Sequence, residues 1–543
     1  MLDLSLLVQG AAYLAGIWSA FIFLVQCIGN SRIFTKYGSR PRPAVSSNLP
    51  AAEVPHITII RPVKGLETEL YQCIASTFQL DYPRDKLTIH LCVADKSDPA
   101  YAVLVQLVRD FPGFDVRVLV EKEDPLLHGS DGHVNNLGPN PKIRNISRGY
   151  REAKGDLVWI IDCNIWIGRG VAGRMADKLL GLQHDGSRAT PYKFVHLLPL
   201  VVDIMGLWDH TSESQALLSA SSETGTSSDP TRVKPDQSLL TQIQQYGGGR
   251  LDEMFMATTH AKFYSAINTV GVAPCVVGKS NMFRKSHLDM LTDPTRNPDL
   301  PSDKGHPTGI DYFSDYICED HLIGDLLWRS KLPGLRNHGL VFGDIAIQPM
   351  AGMSVQAYIA RRVRWLRARK WTVIAATIVE PGVESLLCCS YSSFAITTIP
   401  WFNQTFGIPQ TWSAMGVAWL ASVTLWMIGD WLAYNKLHAG KTVEVDENTP
   451  RFARGTGSPG GAPRRPFHEW LPTWIGRELL ALPIWTWAVL LGTKLVWRGR
   501  TFNVRMDMSV VEVGDESTSA HGSSTSVNAQ TDNARSRSKN RLD

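Results

Sequence analysis

The chain has 543 residues, 44% of them hydrophobic and 17 of them Trp, yet its mean hydropathy is only -0.09; the apolar residues are gathered into segments, unlike those of a pure transporter. A formal net charge of +4 gives no reason to expect nucleic acid, and the basic residues cluster beside apolar stretches, where an anionic membrane surface is the fitting partner. The eight cysteines form no CxxC or Cys/His pattern, which excludes a zinc ribbon and fits a reducing compartment.

In chain order, Leu4 to Ile28 is free of charge and long enough to span a bilayer, which takes roughly 20 apolar residues. Arg32, Lys36, Arg40 and Arg42 follow it, so residues 1–30 read as an anchor whose N-terminus is lumenal and whose following chain is cytosolic. After a Pro- and Ser-containing linker, 31–54, short apolar runs at His56–Arg61, Leu87–Ala94, Asp115–Val120 and Asp156–Ile161 read as strands. Helical patterns at Glu67–Phe78, Ala100–Asp110 and Pro141–Ala153 alternate with them. This order predicts an α/β domain over 55–371 with a mostly parallel sheet, whose ligands bind beyond the carboxyl ends of the strands. Residues 209–249, rich in Ser, Thr, Asp and Gly, read as a mobile insertion.

Beyond an interfacial stretch at 372–382, residues 383–500 hold three apolar segments, Val383–Trp401, Trp412–Leu432 and Glu478–Trp497. The loop at 436–477 carries Lys436, Lys441, Arg451, Arg454, Arg464, Arg465 and Arg477, which marks it as cytosolic. The charged, Ser-rich tail, 501–543, is expected to be disordered.

Four elements are candidates for chemistry. Asp95 leaves the second strand into a turn with Asp98-Pro99; it could accept hydrogen bonds from a base or ribose, or serve as a turn and helix-cap residue. Asp162 and Asn164 close the fourth strand, where Asp-x-Asn could offer one charged and one neutral oxygen to a divalent cation, Mg2+ or Mn2+, or form a satisfied turn. Glu319-Asp320 offers a carboxylate base for an attacking hydroxyl, or acids that complement a helix dipole. Arg361-Arg362-Val363-Arg364-Trp365 with Arg367, Arg369 and Lys370 suits an interfacial helix facing lipid headgroups, with Arg364 as a pyrophosphate clamp and Trp365 as an acceptor-site wall.

These strings, with Arg61-Pro62-Val63-Lys64-Gly65, Asn140-Pro141-Lys142, Thr259-His260 and Gly278-Lys279-Ser280-Asn281, resemble the membrane glycosyltransferases of GT-A fold. That group is marked by three separated Asp positions and a (Q/R)xxRW motif. The resemblance runs from about Pro55 to Trp371 and is strongest to the ceramide glucosyltransferases of glycosyltransferase family 21, in their fungal form. It implies a UDP-glucose donor, a ceramide acceptor, inversion at the anomeric carbon, a divalent cation and a Golgi or endoplasmic-reticulum membrane. It further implies that Asp95, Lys142, Asp162, His260 and Cys275 line the donor site, and that Asp162 and Asn164 hold the metal. Asp320 becomes the base, and Arg361, Arg364 and Trp365 complete the active site. On the residues alone, His260 could equally be a satisfied core or loop residue, and Cys275 among apolar neighbours reads rather as an inert buried thiol. Lys142 could equally be a surface Lys at a helix start, and a processive polysaccharide synthase shares the same motifs.

Overall fold

The computed structural model describes residues 4–128, 137–204, 238–298, 300 and 307–513. Its centre is an eight-stranded sheet in the order β3-β2-β1-β4-β7-β6-β8-β5. The strands are β1 (Ile57–Val63), β2 (Leu87–Val93), β3 (Asp115–Val120), β4 (Leu157–Ile161), β5 (Trp166–Ile167), β6 (Tyr192–Asp203), β7 (Ser280–Arg284) and β8 (Arg336–Met350). β3, β2, β1 and β4 are parallel, with Ile57 opposite both Leu87 and Leu157. Every residue of β1, β2 and β4 is buried, as a parallel sheet covered on both faces requires.

Side chains alternate between the two faces. Ile57, Ile59, Leu157, Trp159 and Ile161 pack with the Val171–Leu180 helix, whereas Ile60, Val158 and Ile160 pack with Ile143, Ile146 and Tyr150 of the Pro141–Arg151 helix. The α/β expectation therefore holds, but the sheet is mixed: β7 runs antiparallel to β4 and β6. That reversal sets Ser280 opposite Ile161, and so carries Lys279 to Asp162.

The Leu4–Lys36 and Trp412–His438 helices are long and apolar enough to cross a membrane. Each leaves a row of large apolar side chains exposed: Leu14, Ile17, Phe21 and Leu24 on the first, Val417, Leu420, Leu425 and Leu432 on the second. The segment expected at Val383–Trp401 is broken instead. Its Ser385–Thr398 helix has 14 residues, about 21 Å against a hydrocarbon core of about 30 Å, and Pro400 starts a separate short helix. Nor is Glu478–Trp497 an apolar span. The helix there runs Phe467–Trp485 with Arg477 and Glu478 buried, and Lys494–Trp497 is already a strand.

Those buried charges are satisfied in a network. Arg477 donates to Glu384 at 2.6 Å and to its neighbour Glu478. Glu478 accepts from the Ser385 amide at 3.1 Å, and Thr259 donates to Glu384 at 3.3 Å. Beside it Lys262 pairs with Asp430 of the Trp412–His438 helix, and Trp474 donates to the same carboxylate at 2.8 Å. The Trp412–His438 helix is thus joined by an ion pair to the Ala261–Val270 helix under the sheet.

Two further expectations change. Leu239–Phe255 is one helix, capped by Ser238, so residues 239–249 are not a loose insertion; 209–237 lie outside the described residues. Where composition predicts a disordered tail, the chain forms β10 (Arg500–Val504) and β11 (Val510–Glu512), which join β9 (Lys494–Trp497) in an antiparallel ribbon. Residues 514–543 lie outside the described residues.

Candidate active site

The site grows from the carboxyl ends of the parallel strands. Asp162 follows β4 in a turn braced from below by Arg61, whose fully buried guanidinium donates to the Asp162 and Ile165 carbonyls, both at 2.9 Å, and to the Cys73 carbonyl at 2.7 Å. The Asp162 carboxylate faces two ammonium groups: Lys279 at 3.0 Å from one oxygen and Lys142 at 3.3 Å from the other. Burial alone raises a carboxyl pKa, but these two cations outweigh it and hold Asp162 at about 2.

Lys142 reaches this point because of the Asn-Pro-Lys string. Asn140 caps the Pro141–Arg151 helix, accepting from the Lys142 and Ile143 amides at 2.8 and 3.1 Å, and Pro141 takes the first helical position. The amide of Asn140 meanwhile donates to Glu319 at 3.1 Å and to the Tyr316 carbonyl at 2.5 Å. Lys142 Nζ lies 3.0 Å from Asp320, 3.1 Å from Glu319 and 3.3 Å from Asp162. One buried ammonium therefore joins the strand-end acid to the acids that open the Glu319–Arg329 helix. Burial opposes its charge, but the three carboxylates outweigh burial and keep it protonated well above its usual range.

Asp320 fits because residue 278 is glycine: a Cβ there would stand 1.7 Å from Asp320 Oδ2. Glu319, beneath it, is raised to about 7, first by burial and then by the Asp320 charge, with Lys142 opposing. The sign of the stability effect follows. A carboxyl that binds its proton more tightly in the folded chain stabilises the fold below the unfolded pKa, and that contribution is lost as pH rises from 4.5 through about 7. Glu319→Gln should remove this slope, so its melting temperature relative to wild type rises between pH 5 and pH 8, by the equivalent of about 1–3 kcal/mol. Thermal-shift measurement across that range checks it; an unchanged difference would place no proton on Glu319.

The other expected residues are arranged around this centre. Asn164 donates to Glu67 at 3.3 Å, and its buried carbonyl oxygen has no partner among the described residues. Arg361 pairs with Asp252 at 3.3 Å and lies over the Trp365 ring at 4.6 Å, while Trp365 packs beside Val201, Phe255 and Met350. Arg364 is lowered to about 10, chiefly by burial and then by Arg361, with Glu67 as its opposing charge. Glu67 so links Arg364 to the Asp162 turn.

The basic residues beyond it do not face outward as an interfacial helix would have them. Arg362 pairs with Glu380 at 3.3 Å, Arg367 donates to the Trp487 and Lys494 carbonyls, and Lys370 donates to the Val489 carbonyl at 2.6 Å.

Three expected residues stand apart. Asp95 lies two residues past the carboxyl end of β2, half-buried; it pairs with Lys122 and accepts from the Ser97 amide at 2.8 Å. Asp98 takes the turn role, accepting from the Gly65 and Ala100 amides, both at 2.9 Å. His260 stacks on Tyr264 at 5.2 Å and is lowered to about 3 by burial and by Arg362 and Arg369. The Cys275 thiol is pushed up to about 12 by burial, which makes it a weak nucleophile.

Sequence reasoning assigned no role to Arg61, Glu67, Gly278 or Lys279. Arg61 carried one signal, a charge inside an otherwise apolar strand. Lys279 carried none, because its place depends on β7 reversing direction.

As a metal site, Asp162 and Asn164 supply one carboxylate and one free amide oxygen. That donor set suits a hard cation which takes one or two carboxylates and completes its shell with phosphate oxygens. Among the described residues no group of three or more His, Cys, Asp or Glu could hold a metal ion alone.

The family model "Glycosyl transferase family 21" matches residues 15–203 and 236–510. A ceramide glucosyltransferase of Pyricularia oryzae is 56% identical over 521 residues, covering 95% of this chain and 98% of its own. One from Gibberella zeae is 53% identical, covering 94% and 95%, and one from Candida albicans 32% identical, covering 94% and 99%. Among solved structures, a mannosyltransferase of Pyrobaculum calidifontis in complex with GDP-Man and Mn2+ aligns over 80% of this chain and 98% of its own, at 13% identity and a TM-score of 0.37, too distant to add to the argument. Matched along nearly all of its length, this chain belongs to glycosyl transferase family 21.

Proposed function

We propose that the protein transfers glucose from UDP-glucose to the primary hydroxyl of ceramide, with inversion, at the cytosolic face of a Golgi or endoplasmic-reticulum membrane. The observation that carries the reading is the single ammonium of Lys142, 3.3 Å from Asp162 and 3.0 Å from Asp320. It couples a strand-end acid suited to holding the cation that accompanies a diphosphate to an acid suited to the acceptor's hydroxyl, a few ångströms apart. The relatives' printed name, ceramide glucosyltransferase, supports the substrate pair.

In this mechanism Asp320 accepts the proton of the ceramide hydroxyl as its oxygen attacks the anomeric carbon. The bond to the diphosphate breaks on the opposite side, and UDP leaves with the electron pair. Arg364 stabilises the charge that develops on the diphosphate, Arg361 and Trp365 shape the site around it, and Asp95, at the sheet edge, binds the nucleoside. In this reading His260 and Cys275 belong to the donor side of the site, although they stand apart from the Asp162–Lys142–Asp320 centre. A divalent cation held by Asp162 and Asn164 supplies further neutralisation of the diphosphate when bound. A lipid acceptor suits a catalytic domain joined to apolar helices, because ceramide then reaches the base without leaving the bilayer.

The test is radiolabelled transfer by the full chain in nanodiscs, UDP-glucose against UDP-galactose, with and without ceramide. Ceramide-dependent glucose incorporation is expected. Incorporation into large product without ceramide would overturn the reading in favour of a polymer synthase.

A further inference from the structure

The ribbon of β9, β10 and β11 is fastened to three parts of the candidate site. Arg367, one turn after Arg364, donates to the Lys494 carbonyl at 2.5 Å. The Val510 amide donates to the Asp315 carbonyl at 2.9 Å, on the loop that leads into Glu319-Asp320. At the hairpin tip, Lys64 Nζ donates to the Arg498 carbonyl at 2.6 Å, which ties the turn to the end of β1. Leu495, Phe502, Val504 and Val510 give the ribbon a small core of its own, closed by Trp371 and Ile317.

The tip is a two-residue turn with Arg498 at φ 52 and Gly499 at φ 81, the left-handed pair that such hairpins favour. Asn or Asp is the usual first residue there. A long charged side chain at positive φ is uncommon and persists where its surroundings and its task hold it.

The Arg498 side chain is half-buried, its guanidinium over the Trp497 ring at 5.4 Å, and it acts electrostatically on Lys64 and on Arg364. Lys64 is lowered by burial and then by Arg498 and Arg500, and Arg364 by burial, Arg361 and Arg498. These are marks of like charges held together. Glu67 acts on Arg364 and Asp98 on Lys64, but no ion pair among the described residues neutralises Arg364 or Arg498 at this strand-end turn.

We infer that Arg498 binds the diphosphate of the nucleotide donor, closing over it from the ribbon opposite Arg364 and Lys64. This deepens the function proposed above and rests on it. A guanidinium matches two phosphate oxygens at once.

The test separates the charge from the turn. Arg498→Asn makes an Asn-Gly turn, which should fold at least as well while removing the guanidinium. Binding of UDP and of uridine to the full chain in nanodiscs is measured by competition, beside Arg498→Lys. The expected result is a loss of tenfold or more in UDP affinity for Arg498→Asn, uridine within twofold of wild type, and Arg498→Lys in between. The KM for UDP-glucose should rise while the KM for ceramide stays put. Unchanged UDP affinity in Arg498→Asn overturns the inference, and so does an equal loss for UDP and uridine, which would make the residue structural. If wild type prefers GDP to UDP, the donor assignment fails instead, and the same variants are read with GDP.

Discussion

Asp320→Asn should lower the rate of sugar transfer by about 10²–10⁴-fold, the usual worth of a positioned general base, while UDP binding stays close to wild type. The substitution keeps the shape of the side chain and its place at the start of the Glu319–Arg329 helix, so the packing against Gly278 is undisturbed. What it removes is the carboxylate proposed to take the acceptor's proton, which is also one of the three anionic partners of Lys142. Because Glu319 and Asp162 still hold that ammonium, the loss should fall on kcat and leave the donor KM within a few-fold. Single-turnover transfer with radiolabelled UDP-glucose, next to UDP competition, reads both quantities. Full activity in Asp320→Asn would remove the base from this residue and leave Glu319 as the nearest carboxylate.

Asp430→Leu should cost about 3–5 kcal/mol of stability, because it leaves the Lys262 ammonium buried without its counter-ion. Both side chains are almost wholly inaccessible, at 2% and 0% exposure, so no water replaces the lost partner. The indole of Trp474 loses its acceptor in the same step. The double variant Lys262→Met/Asp430→Leu should recover most of the loss, since paired charges replaced by apolar groups of similar volume are often neutral or better. Melting temperatures of wild type, both single variants and the double in one detergent complete the cycle. Additive losses would show that the two residues do not act as a pair.

Some of this architecture was legible in the sequence and some was not, for physical reasons. β1, β2 and β4 could be read because a strand buried on both faces must be apolar throughout, and Asp162 because a carboxylate directly after such a run sits at a sheet end. The meeting of Lys142 with Asp320 could not be read: the two are 178 residues apart, and nothing local in either string shows that the helix starts face each other. Glu478–Trp497 was misjudged because hydropathy counts Arg477 and Glu478 as boundary charges, whereas each is buried against a charge, Arg477 reaching one 93 residues away. The tail was misjudged because β10 and β11, of five and three residues, are too short to show a period beside the low-complexity chain that follows. Asp95 was legible as a strand-end acid, but its part in binding is a matter of ligand contacts that no pattern displays.

The hairpin tip at Arg498 also has a bearing on how the protein is made. Chain order places every acid of the site, and both helices able to cross a membrane, ahead of the ribbon at 494–512. While the polypeptide emerges from the ribosome, the acids can be assembled and the apolar helices inserted with the phosphate-facing wall still missing. A nascent chain in this state has an open donor cleft. With Arg498 in its proposed place, it becomes able to hold a nucleotide sugar only after its last strands fold back, so competence in the proposed transfer is deferred until both apolar helices have been made.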